Sequence, residues 1–208
     1  MNNDSLTRQL FKTVGAKWLE ERADPMHRKA IMDEIRNYMS RDKAILDICC
    51  GYGRLTIPLL EAGYNVVGID ISEDLIRKGL KYLESNRLDV NPFLVANMKA
   101  LPFRDEMFDF SFCVWASFNF LITESEQVTF LQEMFRTLKK GGSALIECPL
   151  HKESDDSKRI CVENVSYLYC PITVDDMKRI CGKSLFFQYN VFVEQLAGRD
   201  RMLCLLSK

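Results

Sequence analysis

The chain has 208 residues, 47% of them apolar, enough for one sizeable core and for a single domain over 1–208. A formal net charge of -1 argues against a nucleic-acid partner, which needs a basic excess to meet phosphates. No apolar run is long enough to span a membrane, and the N-terminus Met1-Asn-Asn-Asp-Ser-Leu6 shows no apolar signal segment, so a cytoplasmic protein is expected.

Residues 5–22 read as a helix, with Leu6, Leu10, Val14 and Trp18 at helical spacing and Phe11 beside them. Asp24-Pro25 reads as an N-cap followed by proline at the first helical position. The helix it opens carries Ile31, Ile35 and Tyr38 or Met39 on one face and ends near Ser40. These two helices are expected to form a cap over 1–40, with the core domain over 41–208.

Strand Ala44–Ile48 feeds Cys49-Cys50-Gly51-Tyr52-Gly53, then a helix over 54–63 that stops at Gly63. A second apolar run over 64–69 ends on Asp70. Strand, glycine turn, helix, strand and acid together make a nucleoside-binding βαβ unit. The glycines let backbone approach a ligand, and the helix N-terminus offers N–H groups to it. The strand-end acid is placed to accept both hydroxyls of a ribose. A dinucleotide fingerprint wants a third glycine or alanine three residues after the second; that position is Thr56. Asp47, inside the strand end, suits an ammonium group better than a pyrophosphate. Both departures favour S-adenosylmethionine and disfavour the rival reading, an NAD-dependent oxidoreductase.

Ser72 caps a helix running to about Arg87, and strand 92–96 follows. After a loop, residues 108–114 form a nearly continuous apolar strand, and 115–121 a turn or short helix. Thr123 caps a long helix to Leu138, ended by Lys139-Lys140-Gly141-Gly142, and strand 143–148 stops at Pro149. Residues 150–170 are polar and patternless and read as a lid or substrate loop. A short helix from Thr173 to Gly182 and a terminal β-hairpin over 185–206 complete the chain. Five β/α repeats and a hairpin give an α/β fold whose mostly parallel sheet has an antiparallel strand at one side.

Eight cysteines include no C-x-x-C pair, and only His27 and His151 could assist them, so no metal site is expected. Cys113, Cys148 and Cys204 fall in strands and are expected to pack as small apolar residues.

Four stretches in this order resemble the class I S-adenosylmethionine-dependent methyltransferases over about residues 40–208. They are Asp47 to Gly53, Gly68-Ile-Asp70-Ile-Ser72, Ala100 to Asp109, and Leu138-Lys-Lys-Gly-Gly142. The resemblance implies a seven-stranded sheet ordered 3-2-1-4-5-7-6, strand 7 antiparallel, with helices on both faces and an N-terminal helical cap. It implies that Asp47, Cys49, Gly51 and Gly53 line the methionine moiety, that Asp70 holds the ribose and that Ile71 presses on the adenine. Asn97 and Met98 would border the adenine, although the family usually has aspartate at the first of these. Val114 and Trp115 would lie beside the sulfonium.

The strand-4 tip, Val114-Trp-Ala-Ser117, lacks the Asn/Asp-Pro-Pro-Tyr/Phe of amino-directed nucleic-acid methyltransferases. A small-molecule acceptor is therefore expected, with Trp115, Phe118 and Phe120 as an apolar pocket and Trp18 and His151 as further candidates. A methyl sulfonium needs alignment and dryness more than a base, so no catalytic residue is assigned. A protein that binds S-adenosylmethionine without turnover is the non-enzymatic alternative. The oligomeric state leaves no mark in the sequence.

Overall fold

The apolar runs and cap signals become nine strands and six α-helices among the residues described, which are 2–88, 90–153, 158–162 and 164–208 of a computed structural model. In chain order they are α1 (Asn3–Glu21), α2 (Pro25–Arg36), β1 (Ala44–Ile48), α3 (Thr56–Glu61), β2 (Asn65–Asp70), α4 (Glu73–Ser85), β3 (Phe93–Val95) and β4 (Phe108–Cys113). Then come α5 (Glu124–Thr137), β5 (Leu138–Pro149), β6 (Lys158–Val162), β7 (Val165–Tyr169), α6 (Val174–Cys181), β8 (Gln188–Leu196) and β9 (Arg199–Ser207).

Seven strands form one sheet in the order β3-β2-β1-β4-β5-β9-β8. The first five run parallel, and β9 is antiparallel to both β5 and β8. With the separate β6–β7 ribbon left out of the count, this is the implied 3-2-1-4-5-7-6 order. Ala197 and Gly198, both at positive φ, make the two-residue turn between β8 and β9.

Period-two alternation sends the strand side chains to two opposite cores. Leu46, Cys113, Ile146 and Cys204 pack with Phe130 and Met134 of α5 and Met177 of α6. Ile45, Phe110, Phe112, Leu145 and Leu203 pack on the other face with Ile31 and Ile35 of α2 and with Leu59 of α3. Cys113, Cys148 and Cys204 are buried, as their strand positions suggest. Among the described residues, no helix is long and apolar enough to cross a membrane.

Three local readings change. Helix α1 is broken at Gly15, whose φ of 61° and ψ of -167° lie where a side chain is not tolerated. Strand β5 starts at Leu138, five residues before the expected start at Ser143: Leu138 pairs with Phe108, and the Gly141 N–H donates to the Lys208 carbonyl. The Lys139–Gly142 run is thus strand, paired to a chain end far away in sequence, and not merely a helix stop. The supposedly patternless 150–170 stretch holds the β6–β7 hairpin, seated on Leu10 and Val14 of α1 through Val165 and Tyr167. Residues 154–157 and 163 of that expected lid lie outside the described residues.

Candidate active site

The carboxyl ends of β1, β2 and β4 open on one cavity, roofed by α1 and closed at the side by β7. The β1–α3 loop forms its floor. Cys49 and Gly51 have φ of 64° and 60°, a left-handed path that turns the chain sharply after β1. A Cβ on Gly51 would meet only Leu19 Cδ1 at 3.8 Å, so the backbone path, more than lack of room, calls for glycine there. Gly68 lets the loop sit down on β2: a Cβ there would come within 2.8 Å of Cys50 Sγ and 2.9 Å of Thr56 Oγ1.

Asp70 ends β2 at the cavity wall with its side chain buried. Its two oxygens accept from the Gly51 N–H at 2.9 Å and the Ser72 N–H at 2.8 Å. It thereby ties the glycine loop to the start of α4 while keeping further lone pairs for a ligand. Burial pushes its carboxyl up to about 6, against the pull of those N–H donors.

Asp47 is not at the cavity. It is buried behind the loop, where its Oδ2 accepts from Thr56 Oγ1 at 2.7 Å. The residue that breaks the dinucleotide fingerprint is thus the partner of the acid that also departs from it. Burial pushes Asp47 up to about 7 from 3.8, with the nearby Asp70 charge adding to the rise. The folded state therefore holds this proton more tightly than the unfolded chain, so stability falls as pH rises from about 4 to about 7. Asp47→Asn is expected to remove about 2–3 kcal/mol of the loss that the ligand-free wild type shows between about pH 5 and 8. Urea midpoints measured across that range test this; parallel wild-type and variant curves would show that Asp47 is not the titrating group.

Gly53 is also displaced from the expected lining. Its missing Cβ makes room for Phe93 Cζ, which would stand 2.5 Å away, and for Ile57. Ile71, Met98, Leu75 and Ala96 form an apolar slot on the β2–β3 side. Asn97 borders that slot, but its amide is engaged: Nδ2 donates to Asp4 Oδ2 at 2.8 Å, and Oδ1 accepts from the Lys99 N–H at 2.9 Å. Lys99 also reaches Asp4 Oδ1 at 3.0 Å. Asn97 and Lys99 thus fasten the start of α1 over the cavity.

At the β4 tip, Val114 and Trp115 line the cavity. Trp115 and Ala116 stand at φ of 58° and 65°, two successive non-glycine residues in the left-handed region. The Trp115 N–H is held by Glu147 Oε2 at 2.7 Å. The Arg54 guanidinium lies 3.8 Å from the centroid of the indole ring. Glu147 arrives from β5 on the α2 face of the sheet; it is fully buried and also contacts Arg201 and His27.

Trp18 and Phe120 line the cavity, and Phe120 stacks on Tyr167 at 5.1 Å. Two expected pocket residues do not. Phe118 is fully buried against Phe130, because the short helix 117–120 turns it inward. His151 stands behind the wall, 3.0 Å from the Tyr169 hydroxyl. Tyr167, Tyr169, Arg54 and Leu19 reach the cavity without having been singled out. The alternation Val165-Ser-Tyr-Leu-Tyr169 carried the signal for the tyrosines, and Arg54 directly follows the glycine turn.

A family model described as a methyltransferase domain matches residues 45–142. The chain is 31% identical over 173 residues to a demethylmenaquinone methyltransferase of Geobacillus sp., covering 80% of this chain and 70% of that one. It is 28% identical over 153 residues to the Bacillus subtilis methyltransferase-like protein YqeM, covering 70% of this chain but only 60% of that one. A solved S-adenosylmethionine-dependent methyltransferase of Methanosarcina mazei superposes with a TM-score of 0.70 at 23% identity, over 84% of this chain and 96% of that chain. By sequence and fold together, the chain belongs to the class I S-adenosylmethionine-dependent methyltransferases.

Proposed function

We propose that the protein transfers the methyl group of S-adenosylmethionine to a small-molecule acceptor presented at Trp115. The observation that carries this is one cavity joining Asp70 and the Ile71–Met98 slot, past the Gly51 turn, to Trp115 and an aromatic wall. The residues fit the cofactor. A buried acid with spare lone pairs suits a ribose, the apolar slot suits an adenine, and the open floor at Gly51 suits a chain lying along the backbone. The bound cofactor supplies an electrophilic methyl with a neutral leaving group. The chain's part is to align the acceptor and keep water out, which α1 and the Phe120–Tyr167 stack are placed to do.

In this reading Asp70 holds the ribose, Ile71 and Met98 enclose the adenine, and Cys49 and Gly51 run along the methionine. The name of the Geobacillus relative indicates a quinone acceptor for that protein. An aromatic acceptor face against Trp115, Phe120 and Tyr167 is consistent with that chemistry. Methyl transfer from labelled S-adenosylmethionine to a panel of phenols and hydroquinones tests the reading. Trp115→Ala is expected to lower kcat/KM for an accepted compound by about 10–100-fold, the loss of one buried aromatic contact, while cofactor affinity changes less than about 3-fold. Cofactor binding without turnover on any acceptor would favour the non-catalytic alternative.

A further inference from the structure

A second cavity adjoins the first across Trp18, Arg54 and Trp115, on the side of β5 and β9. Its wall carries Arg22, Arg28, Arg54, Arg199 and Arg201 against one carboxylate, Asp24. The whole chain has 28 Lys and Arg against 29 Asp and Glu, so five guanidiniums around one cavity is a local excess. Two of them are neutralised: Arg199 sits 3.0 Å from Asp24 Oδ2, and Arg201 contacts the buried Glu147. Arg22, Arg28 and Arg54 have no carboxylate partner among the described residues.

Arg22 and Arg54 are set against indole rings, at 4.4 Å over Trp18 and 3.8 Å over Trp115. Burial and the charge of Arg28 pull the Arg54 pKa down, against Tyr52 and Asp47. A bound anion would relieve both costs. His27 lies on the same wall at 3% exposure. Its Nε2 is 3.8 Å from Glu147 Oε1, so His27 faces that buried carboxylate and belongs to its cluster. The cavity therefore offers positive charge from arginines without carboxylate partners among the described residues. Its two nearby carboxylates are already paired.

We propose that this second cavity is the acceptor subsite and that it selects an acceptor bearing an oxyanion, a carboxylate or phosphate, held by Arg28 and Arg54. The indole of Trp115 separates this charge from the methyl-donor end, so the acceptor spans an anionic group on one side and its reacting atom on the other. Arg28 belongs to the second cavity alone, whereas Arg54 lines both. This inference rests on the methyltransferase reading and adds the acceptor's charge to it.

The test uses calorimetry on protein saturated with S-adenosylhomocysteine, so that the cofactor's own carboxylate is already in place. Benzoate, phenyl phosphate and benzyl alcohol are the probes. Benzoate or phenyl phosphate is expected to bind at least about 10-fold more tightly than benzyl alcohol, as charge-assisted bonds to arginine require. Which anion leads separates a carboxylate from a phosphate acceptor. Arg28 is solvent-exposed, so its replacement should not disturb folding. Arg28→Glu is expected to abolish the anion preference while leaving S-adenosylhomocysteine affinity within about 3-fold. No preference for either anion over the alcohol would overturn the inference. An Arg28→Glu variant that loses S-adenosylhomocysteine as strongly as it loses benzoate would overturn it too, by assigning the arginines to the cofactor carboxylate. Failure of the wild type to bind S-adenosylhomocysteine at all would instead remove the methyltransferase reading itself.

Discussion

Replacing Asp70 with alanine is expected to weaken S-adenosylhomocysteine binding by on the order of 100-fold, or about 3 kcal/mol. The estimate has two sources that act together. The proposed ribose would lose charge-assisted hydrogen bonds, each contributing about 1.5–3 kcal/mol. The Gly51 and Ser72 N–H groups would also lose their buried acceptor, so the loop beneath the methionine would no longer be held at its left-handed turn. Asp70→Asn separates the two sources. Its amide oxygen can still accept from one N–H, so it should keep more stability than alanine while still losing cofactor affinity. Calorimetric titration of both variants, with urea midpoints alongside, is the measurement. Wild-type affinity in Asp70→Ala would move the ribose away from the end of β2.

Replacing Glu147 with alanine is expected to cost about 3–5 kcal/mol of folding stability, among the largest effects of any single change in the molecule. Burial alone would push this carboxyl up. His27, Arg201 and the Trp115 N–H outweigh that and hold it below its ordinary value. A depressed carboxyl contributes stability that is present above its unfolded pKa and is lost as pH falls through its folded one. Alanine would leave the Arg201 charge without its carboxylate beside a fully buried site and would orphan the Trp115 N–H. Because that N–H fixes two left-handed residues at the β4 tip, damage should reach the site as well as the fold. Glu147→Gln keeps an acceptor for Trp115 and should recover part of the stability at neutral pH. Thermal unfolding at pH 7 compares the three proteins; a loss below about 1 kcal/mol for alanine would mean that Glu147 is not the hub of this cluster.

What the sequence determined by itself is what short-range physics encodes. The strand–glycine–helix passage around Gly51 and the caps at Asp24, Ser72 and Thr123 appear where their residues place them. Each depends on neighbours within a few positions, so one chain suffices to read it. The sheet order came instead from the family resemblance, and the structure has that order. Tertiary structure decided everything that needed a distant partner. Asn97, expected against adenine, meets Asp4 from 93 residues away. Asp47 turns inward to Thr56, and Gly53 makes room for Phe93 instead of for a ligand. Glu147, one acid within strand β5, gathers Trp115, Arg201 and His27 from three separate segments. The arginines of the second cavity lie at positions 22, 28, 54, 199 and 201, and no spacing rule links them. Only the folding of α1 and α2 over the ends of β5 and β9 brings these charges together, because burial and Coulomb energy act on distance in space and not on distance along the chain.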